Sequence, residues 1–125
     1  MTALTLDTGA LIALERRDAR AWRVVAAARA KGETITVPAP VITEWWRGQR
    51  GPAARILDVF DLEPTAPTLA RTAGEALGKV GRGPSPTDAI VMASAASRGD
   101  AVLTGDVGDL ERLRAVFPNV RVLRV

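Results

Sequence analysis

Residues Ala3 to Leu14 read ALTLDTGALIAL, two apolar runs with a single charge, Asp7, between them. An ionised carboxylate in apolar surroundings costs several kcal/mol unless it is paired or holds a cation. The simplest reading is a junction between two elements. Ala3–Leu6 forms a short buried strand, Asp7-Thr8-Gly9 makes the turn, and a helix runs from Ala10 to about Arg16. Asp is a favoured helix N-cap because its oxygen accepts from the unpaired N–H groups of the first turn. A strand that passes straight into a helix marks an α/β chain, and the rest of the sequence repeats the pattern.

Asp18 caps a second helix through ARAWRVVAAARAK, ended by Gly32. Thr34–Val37 is β-branched and strand-like. PAPVITEWWRG begins a helix after its prolines, and Gly48 to Pro52 break it. AARILDVF is helical and DLEPT makes a short strand. Pro67–Val80 is helical and GRGPSP is a loop. TDAIVMASAASRG is apolar on most sides and therefore a buried helix. Ala101–Thr104 is a strand, DLERLRAVF an amphipathic helix and VRVLRV the last strand. Strands alternating with helices predict one α/β domain over residues 1–125, with a parallel sheet between two helical layers. In such sheets the functional site lies beyond the carboxyl ends of the strands.

Composition removes whole classes of chemistry. The 125 residues include no histidine and no cysteine. That excludes disulfides, thiolate or imidazole metal sites, a Ser-His-Asp triad and a histidine general base. Any bound metal must take oxygen ligands, which suits Mg²⁺, Mn²⁺ or Ca²⁺. No apolar run reaches the ~20 residues of a membrane span, and no charged-then-apolar leader precedes the first strand. The expected compartment is the cytoplasm. The net charge is +3, and of 17 basic residues only Lys31 and Lys79 are lysines.

Most of the 14 acids sit in ordinary surroundings. Asp18, Glu33, Asp61, Glu63, Glu75, Asp100 and Glu111 lie among polar residues in loops or on solvated faces, and Glu15 and Asp58 fit the outer sides of helices. Five remain: Asp7, Glu44, Asp88, Asp106 and Asp109. Asp7 and Asp106 each follow a short apolar strand. Glu44 and Asp88 lie early in helices that follow prolines, near the positive end of the helix dipole. Singly, each has a structural reading. Ser85-Pro86-Thr87-Asp88 fits a capping box with Pro at the first helical position. Asp106 and Asp109 fit turn and capping positions before LERLRAVF. Taken together, Asp7, Glu44, Asp88 and Asp106 come from four segments that an open α/β sheet brings to one place. Carboxylates so gathered repel unless a cation or a shared proton compensates. A pocket of carboxylates alone is a Mg²⁺ or Mn²⁺ site by ligand chemistry, and phosphodiester hydrolysis is its natural reaction.

With these motifs in view, the chain resembles the PIN-domain ribonucleases of the VapC toxin type over essentially its whole length. The resemblance rests on LDTGALIAL with Asp7, VITEWW with Glu44, SPTDAIVMASA with Asp88 and VLTGDVGDL with Asp106. In the last motif Thr104, Asp106 and Asp109 match the family's Thr-x-Asp-x-x-Asp. Gly9 stands where the family more often has Ser or Asn, and Leu110 where Phe often follows the last Asp. The resemblance implies a PIN-like three-layer α/β/α sandwich around a central, mostly parallel five-stranded sheet. It also implies Mg²⁺- or Mn²⁺-dependent RNA cleavage, homodimerisation, and inhibition by a cognate antitoxin protein. By the same resemblance, Asp7, Asp88 and Asp106 ligate the metal, Glu44 completes the catalytic cluster, Thr104 orients a carboxylate or a bound water, and Asp109 is auxiliary.

Arg16, Arg17 and Arg20, after the first helix, and Arg47 and Arg50, after Glu44, are candidates to hold RNA phosphates; solvated helix faces are the alternative. Four of the 14 acids belong to the candidate site, which leaves 10 against 17 basic residues, a balance of +7 elsewhere. That favours non-specific, salt-sensitive attraction to RNA. Trp45 and Trp46 cannot share one helix face, since consecutive residues differ by about 100°; one is expected in the core and the other at an interface.

Three rival readings remain. Asp-Thr-Gly also occurs at the active site of aspartic proteases, but those are all-β, and here the motif runs into helix. A phosphorelay receiver clusters acids on a parallel sheet, but needs a lysine after its last strands, and Lys31 and Lys79 are misplaced. A PIN-like domain that binds RNA or a partner without cutting is the third.

Overall fold

The computed structural model describes residues 3–125, so Met1 and Thr2 of the predicted 1–125 domain lie outside the described residues. β1 (Leu4–Leu6) passes directly into α1 (Thr8–Glu15), then α2 (Ala19–Ala30) leads to β2 (Ile35–Pro38). α3 (Ala39–Trp45) and a 3-10 helix (Ala54–Val59) lead to β3 (Asp61–Glu63). α4 (Pro67–Val80), α5 (Pro86–Arg98), β4 (Ala101–Thr104), α6 (Gly108–Leu113) and β5 (Val122–Arg124) complete the chain.

The five strands pair in the order β3-β2-β1-β4-β5, and every pairing is parallel, where the sequence predicted a mostly parallel sheet. The order runs one way from β1 to β3 and the other way from β1 to β5. Parallel crossovers are right-handed, so this reversal sends α1 to α3 to one face and α4 to α6 to the other. The packing agrees: α5 lies on β1, β2 and β4 and contacts α4 and α6, while α1 contacts β1, β4, α2 and α3. The reversal falls between β1 and β4, and the crevice beyond their carboxyl ends is where open α/β sheets place ligands. The central strands are buried on both faces, as continuous apolar runs predict, with Leu6, Val37 and Leu103 at 0% exposure.

Several elements differ from the sequence reading; α6, for one, ends at Leu113 rather than at Phe117. The helix from Ala39 stops at Trp45 rather than near Gly48, because Trp46 turns extended (φ −69°, ψ 128°). AARILDVF tightens to a 3-10 helix. Among the described residues no helix is long and apolar enough to cross a membrane.

Three acids read as solvated are not. Asp100 is 3% exposed and accepts from Thr5 Oγ1 at 2.8 Å and from Arg98 Nε at 2.9 Å. Arg98 also donates to Glu63, to Ser94 Oγ at 2.7 Å and to Thr5 Oγ1 at 2.9 Å, tying α5 to β1 and β3. Glu15, half-buried, accepts the Trp45 indole N–H at 3.1 Å.

Candidate active site

β1 and β4 end side by side in register, Leu6 opposite Leu103, and the Asp7 N–H donates to the Leu103 carbonyl at 3.1 Å. Asp7 therefore leaves the sheet beside the Thr104-Gly105-Asp106 turn. Its Oδ1 accepts from Ala10 N at 2.9 Å, which makes it the N-cap of α1. Its Oδ2 accepts from the Thr104 hydroxyl. Thr104 is fully buried, and its oxygen also accepts from Asp106 N at 3.0 Å, so one hydroxyl joins the two acid-bearing turns. Asp106 Oδ1 accepts from Gly108 N at 3.0 Å.

The other acids arrive on helices. Asp88 sits in a complete capping box, its Oδ2 accepting from Ser85 N at 2.9 Å and its own N–H donating to Ser85 Oγ at 3.1 Å. Glu44 projects from α3, and its Oε1 accepts from Thr8 Oγ1 at 2.6 Å. Asp7, Glu44, Asp88, Asp106 and Asp109 all line one cleft of about 230 Å³, closed by Thr8, Gly9, Thr87, Gly105 and Leu110. Larger hollows of about 490 and 550 Å³ lie elsewhere, but each is lined by a single carboxylate, Glu63 and Glu15.

The cleft is electrostatically loaded. Burial pushes Asp7 up from 3.8 to about 6, against hydrogen bonds from Thr104, Ala10 and Gly9 that favour its charged form, and the charge of Asp88 raises it further. Asp88 is also raised, first by burial, with the Ser85 hydrogen bonds opposing and the charges of Asp109 and Glu44 adding to the rise. Asp7 and Asp88 are half-buried, while Glu44, Asp106 and Asp109 are exposed at the rim, and the charges of Asp109 and Glu44 act on Asp88 as that of Asp88 acts on Asp7. The donor set is oxygen only, the chemistry of Mg²⁺ and Mn²⁺. Among the described residues, no three acids close into a ready-made cation cage. Each of Asp7, Glu44, Asp88 and Asp106 is instead held to the wall by hydrogen bonds from its own or a neighbouring segment.

The cation candidates scatter. Arg16 lines a hollow that adjoins the cleft, Arg17 and Arg50 line a separate one beside Trp22 and Ile56, and Arg20 is exposed on α2. Arg47 donates to the carbonyls of Trp46, at 2.6 Å, and Thr43, at 3.2 Å. None of these five arginines lines the acidic cleft. Trp45 is buried and Trp46 is 41% exposed, their ring centroids 6.0 Å apart. Sequence reasoning missed Thr8, whose partner Glu44 lies 36 positions away, and the role of Gly105. A hydroxyl immediately after the first acid was the available signal for Thr8.

The strand–acid–helix unit at the sheet reversal brings acids from four segments into one cleft, and a family profile described as the PIN domain matches residues 4–116. The chain belongs to the PIN domain family, a family of nucleases. The whole fold is similar to a chain of VapBC2 from Rickettsia felis, solved bound to a DNA fragment from its promoter (TM-score 0.77, 14% identity, 98% of each chain covered). It is similar to a chain of DNA-bound VapBC from Salmonella typhimurium (TM-score 0.75, 17% identity, 99% of this chain and 98% of that one). It is also similar to a chain of FitAcB from Neisseria gonorrhoeae (TM-score 0.69, 17% identity, 97% and 96%). No curated protein sequence matches. The parallel sheet of this PIN domain removes the all-β aspartic protease reading.

Proposed function

We propose that this PIN domain is a Mg²⁺- or Mn²⁺-dependent endoribonuclease, the VapC-type toxin of a toxin–antitoxin pair, acting in the cytoplasm as a homodimer. The observation that carries the reading is the convergence of Asp7, Glu44, Asp88 and Asp106, from four segments, in one cleft at the β1/β4 reversal. Asp7, Asp88 and Asp106 are the residues that would hold the cation, with Glu44 completing the cluster. A bound divalent cation offsets the carboxylate repulsion, acidifies water and neutralises a phosphodiester's developing charge. The chain's own residues supply position. Thr104 fixes the rotamer of Asp7, Ser85 fixes Asp88, Thr8 fixes Glu44, and Leu110 excludes water from one wall. Asp109 adds negative charge at the rim, which the shift of Asp88 registers. The similar solved chains come from VapBC and FitAB complexes, which supports a protein partner for this chain. An arginine of that partner, entering the cleft, would stand in for the cation's charge.

Purified protein is incubated with single-stranded RNA in Mg²⁺, Mn²⁺ or EDTA, and the product ends are mapped. Cleavage is expected only with metal, leaving 5′-phosphate and 3′-hydroxyl ends, and is lost in Asp7→Ala. Attack by the ribose 2′-hydroxyl leaves a cyclic phosphate instead. A cyclic phosphate, cleavage that persists in EDTA, or equal cleavage by Asp7→Ala would overturn the reading.

A further inference from the structure

Gly9 and Gly105 line the acidic cleft, and both also line a second hollow of about 370 Å³ on the far side of their contact. The wall of this hollow is one face of α1 and its C-cap: Gly9, Ile12, Ala13 and Arg16, at spacings of three, one and three residues. Between the two depressions stands a ridge of bare backbone, because neither glycine carries a side chain. Arg16 is exposed, and among the described residues its guanidinium makes no ion pair or hydrogen bond. The hollow has one acidic side chain, Asp18, whose Oδ1 caps α2 by accepting from Ala21 N at 2.9 Å. In the sequence Asp18 is the sole acid between positions 16 and 23, against Arg16, Arg17, Arg20 and Arg23.

We propose that the Arg16 hollow is a backbone-phosphate subsite for an RNA strand that crosses the Gly9–Gly105 ridge; this rests on the reading of the acidic cleft as the cutting site. A cleft of carboxylates repels a polyanion everywhere except at a bound cation, so the strand needs an anchor outside it. Arg16 is the arginine in the depression that adjoins the cleft across that ridge. Its planar fork matches a phosphate in a way that lysine does not. Thr8 and Arg16 lie at opposite ends of α1, ~12 Å apart at 1.5 Å per residue, a short step along a nucleic-acid strand. The ridge lets a sugar-phosphate backbone lie flat, and Ile12, Ala13 and Val125 give an apolar floor for a sugar or base.

Binding of a labelled single-stranded RNA oligonucleotide is measured by fluorescence anisotropy in EDTA, across a salt series, with the full chain. Arg16→Ala is expected to weaken binding roughly five- to tenfold at low salt and to reduce the salt slope by about 1. Arg71→Ala, on the exposed face of α4, is the control and should change binding less than twofold. Arg16→Lys, which keeps the charge but not the planar fork, should restore the salt slope and only part of the affinity. The melting temperature of Arg16→Ala and its rise in Mg²⁺ should match wild type. Equal effects of Arg16→Ala and Arg71→Ala would overturn the subsite. So would unchanged RNA binding together with lost binding of an acidic peptide. Loss of RNA affinity in Arg16→Ala from a wild type that never cuts RNA would uphold the subsite and refute the nuclease reading. Metal-dependent cutting with normal RNA binding by Arg16→Ala would do the reverse.

Discussion

Gly9 and Gly105 meet backbone to backbone. A Cβ added at Gly9 would lie 2.8 Å from the Gly105 nitrogen and 3.1 Å from its Cα, whereas one added at Gly105 comes no nearer to Gly9 than 3.4 Å. The contact sets the separation of the turn carrying Asp7 from the turn carrying Asp106. The family's commoner Ser or Asn cannot occupy position 9 here unless the Gly105 backbone moves.

The asymmetry gives a sharp prediction. Gly9→Ala adds a better helix former, worth up to ~1 kcal/mol inside a helix, yet it must push the Asp106 turn away. Cleavage should fall at least tenfold and the Mg²⁺-induced rise in Tm should shrink. Gly105→Ala meets only ordinary contacts and should keep most of both. Equal behaviour of the two variants, in cleavage assays and melting with Mg²⁺, would contradict the positioning role.

Asp7 makes stability depend on pH. Its folded value of about 6 exceeds the usual 3.8, so the folded state holds the proton more tightly than the unfolded chain. Without metal, its contribution is most favourable below about pH 4 and declines as the pH rises to about 6, by up to ~3 kcal/mol. Asp7→Asn should flatten that part of the profile and melt above wild type at neutral pH in EDTA. Parallel wild-type and Asp7→Asn profiles in chemical denaturation from pH 4 to 8 would show that burial does not strain this carboxylate.

Thr104→Val removes the hydroxyl that favours the charged form of Asp7. Asp7 should then hold its proton to higher pH, and the acid limb of the cleavage profile should move upward, with much of the lost rate recovered at alkaline pH. A uniform loss at every pH would mean that Thr104 acts only through packing.

The ion network at the opposite end of α5 from Asp88 is separable from the site. Arg98→Met strips Asp100, which is 2% exposed at its side chain, of its cationic partner. Arg98 keeps 28% exposure, so the loss falls below the ~3–5 kcal/mol of a fully buried pair. The Tm should fall sharply, while the Mg²⁺-induced rise of whatever folded protein remains stays as in wild type. Loss of that rise would place the network within the metal site.

Much of this was legible in sequence where the signal is local. Pro67 and Gly81 bracket α4 at the residues predicted, and β4 spans Ala101–Thr104 as its apolar run requires. The Ser85–Asp88 capping box forms as written in Ser-Pro-Thr-Asp, and Trp45 and Trp46 divide between interior and surface. The five acids left after sorting are the five that line the cleft. What stayed hidden depends on distant pairings. Asp100 follows a glycine and looks like a turn acid. Its burial arises because β4 pairs with β1 and brings Thr5, 95 positions away, against it. The early end of α3 likewise accompanies the Trp45 indole bonding to Glu15, 30 positions back. The ridge at Gly9 requires knowing that β1 and β4 are neighbours.

At Asp88 the capping bonds and the proposed metal role separate in one substitution. Asn keeps an oxygen for the Ser85 N–H and removes one charge from a cleft where burial and the charges of Asp109 and Glu44 already disfavour ionisation. Thermal melting of wild type and Asp88→Asn is compared in EDTA and in millimolar Mg²⁺, with cleavage measured alongside. Asp88→Asn should melt no lower than wild type in EDTA, gain less from Mg²⁺ and cut almost no RNA, since a ligand that binds only the folded state stabilises it by mass action. An Asp88→Asn protein clearly destabilised in EDTA, with Mg²⁺ raising both proteins equally, would contradict it and leave Asp88 as a helix cap.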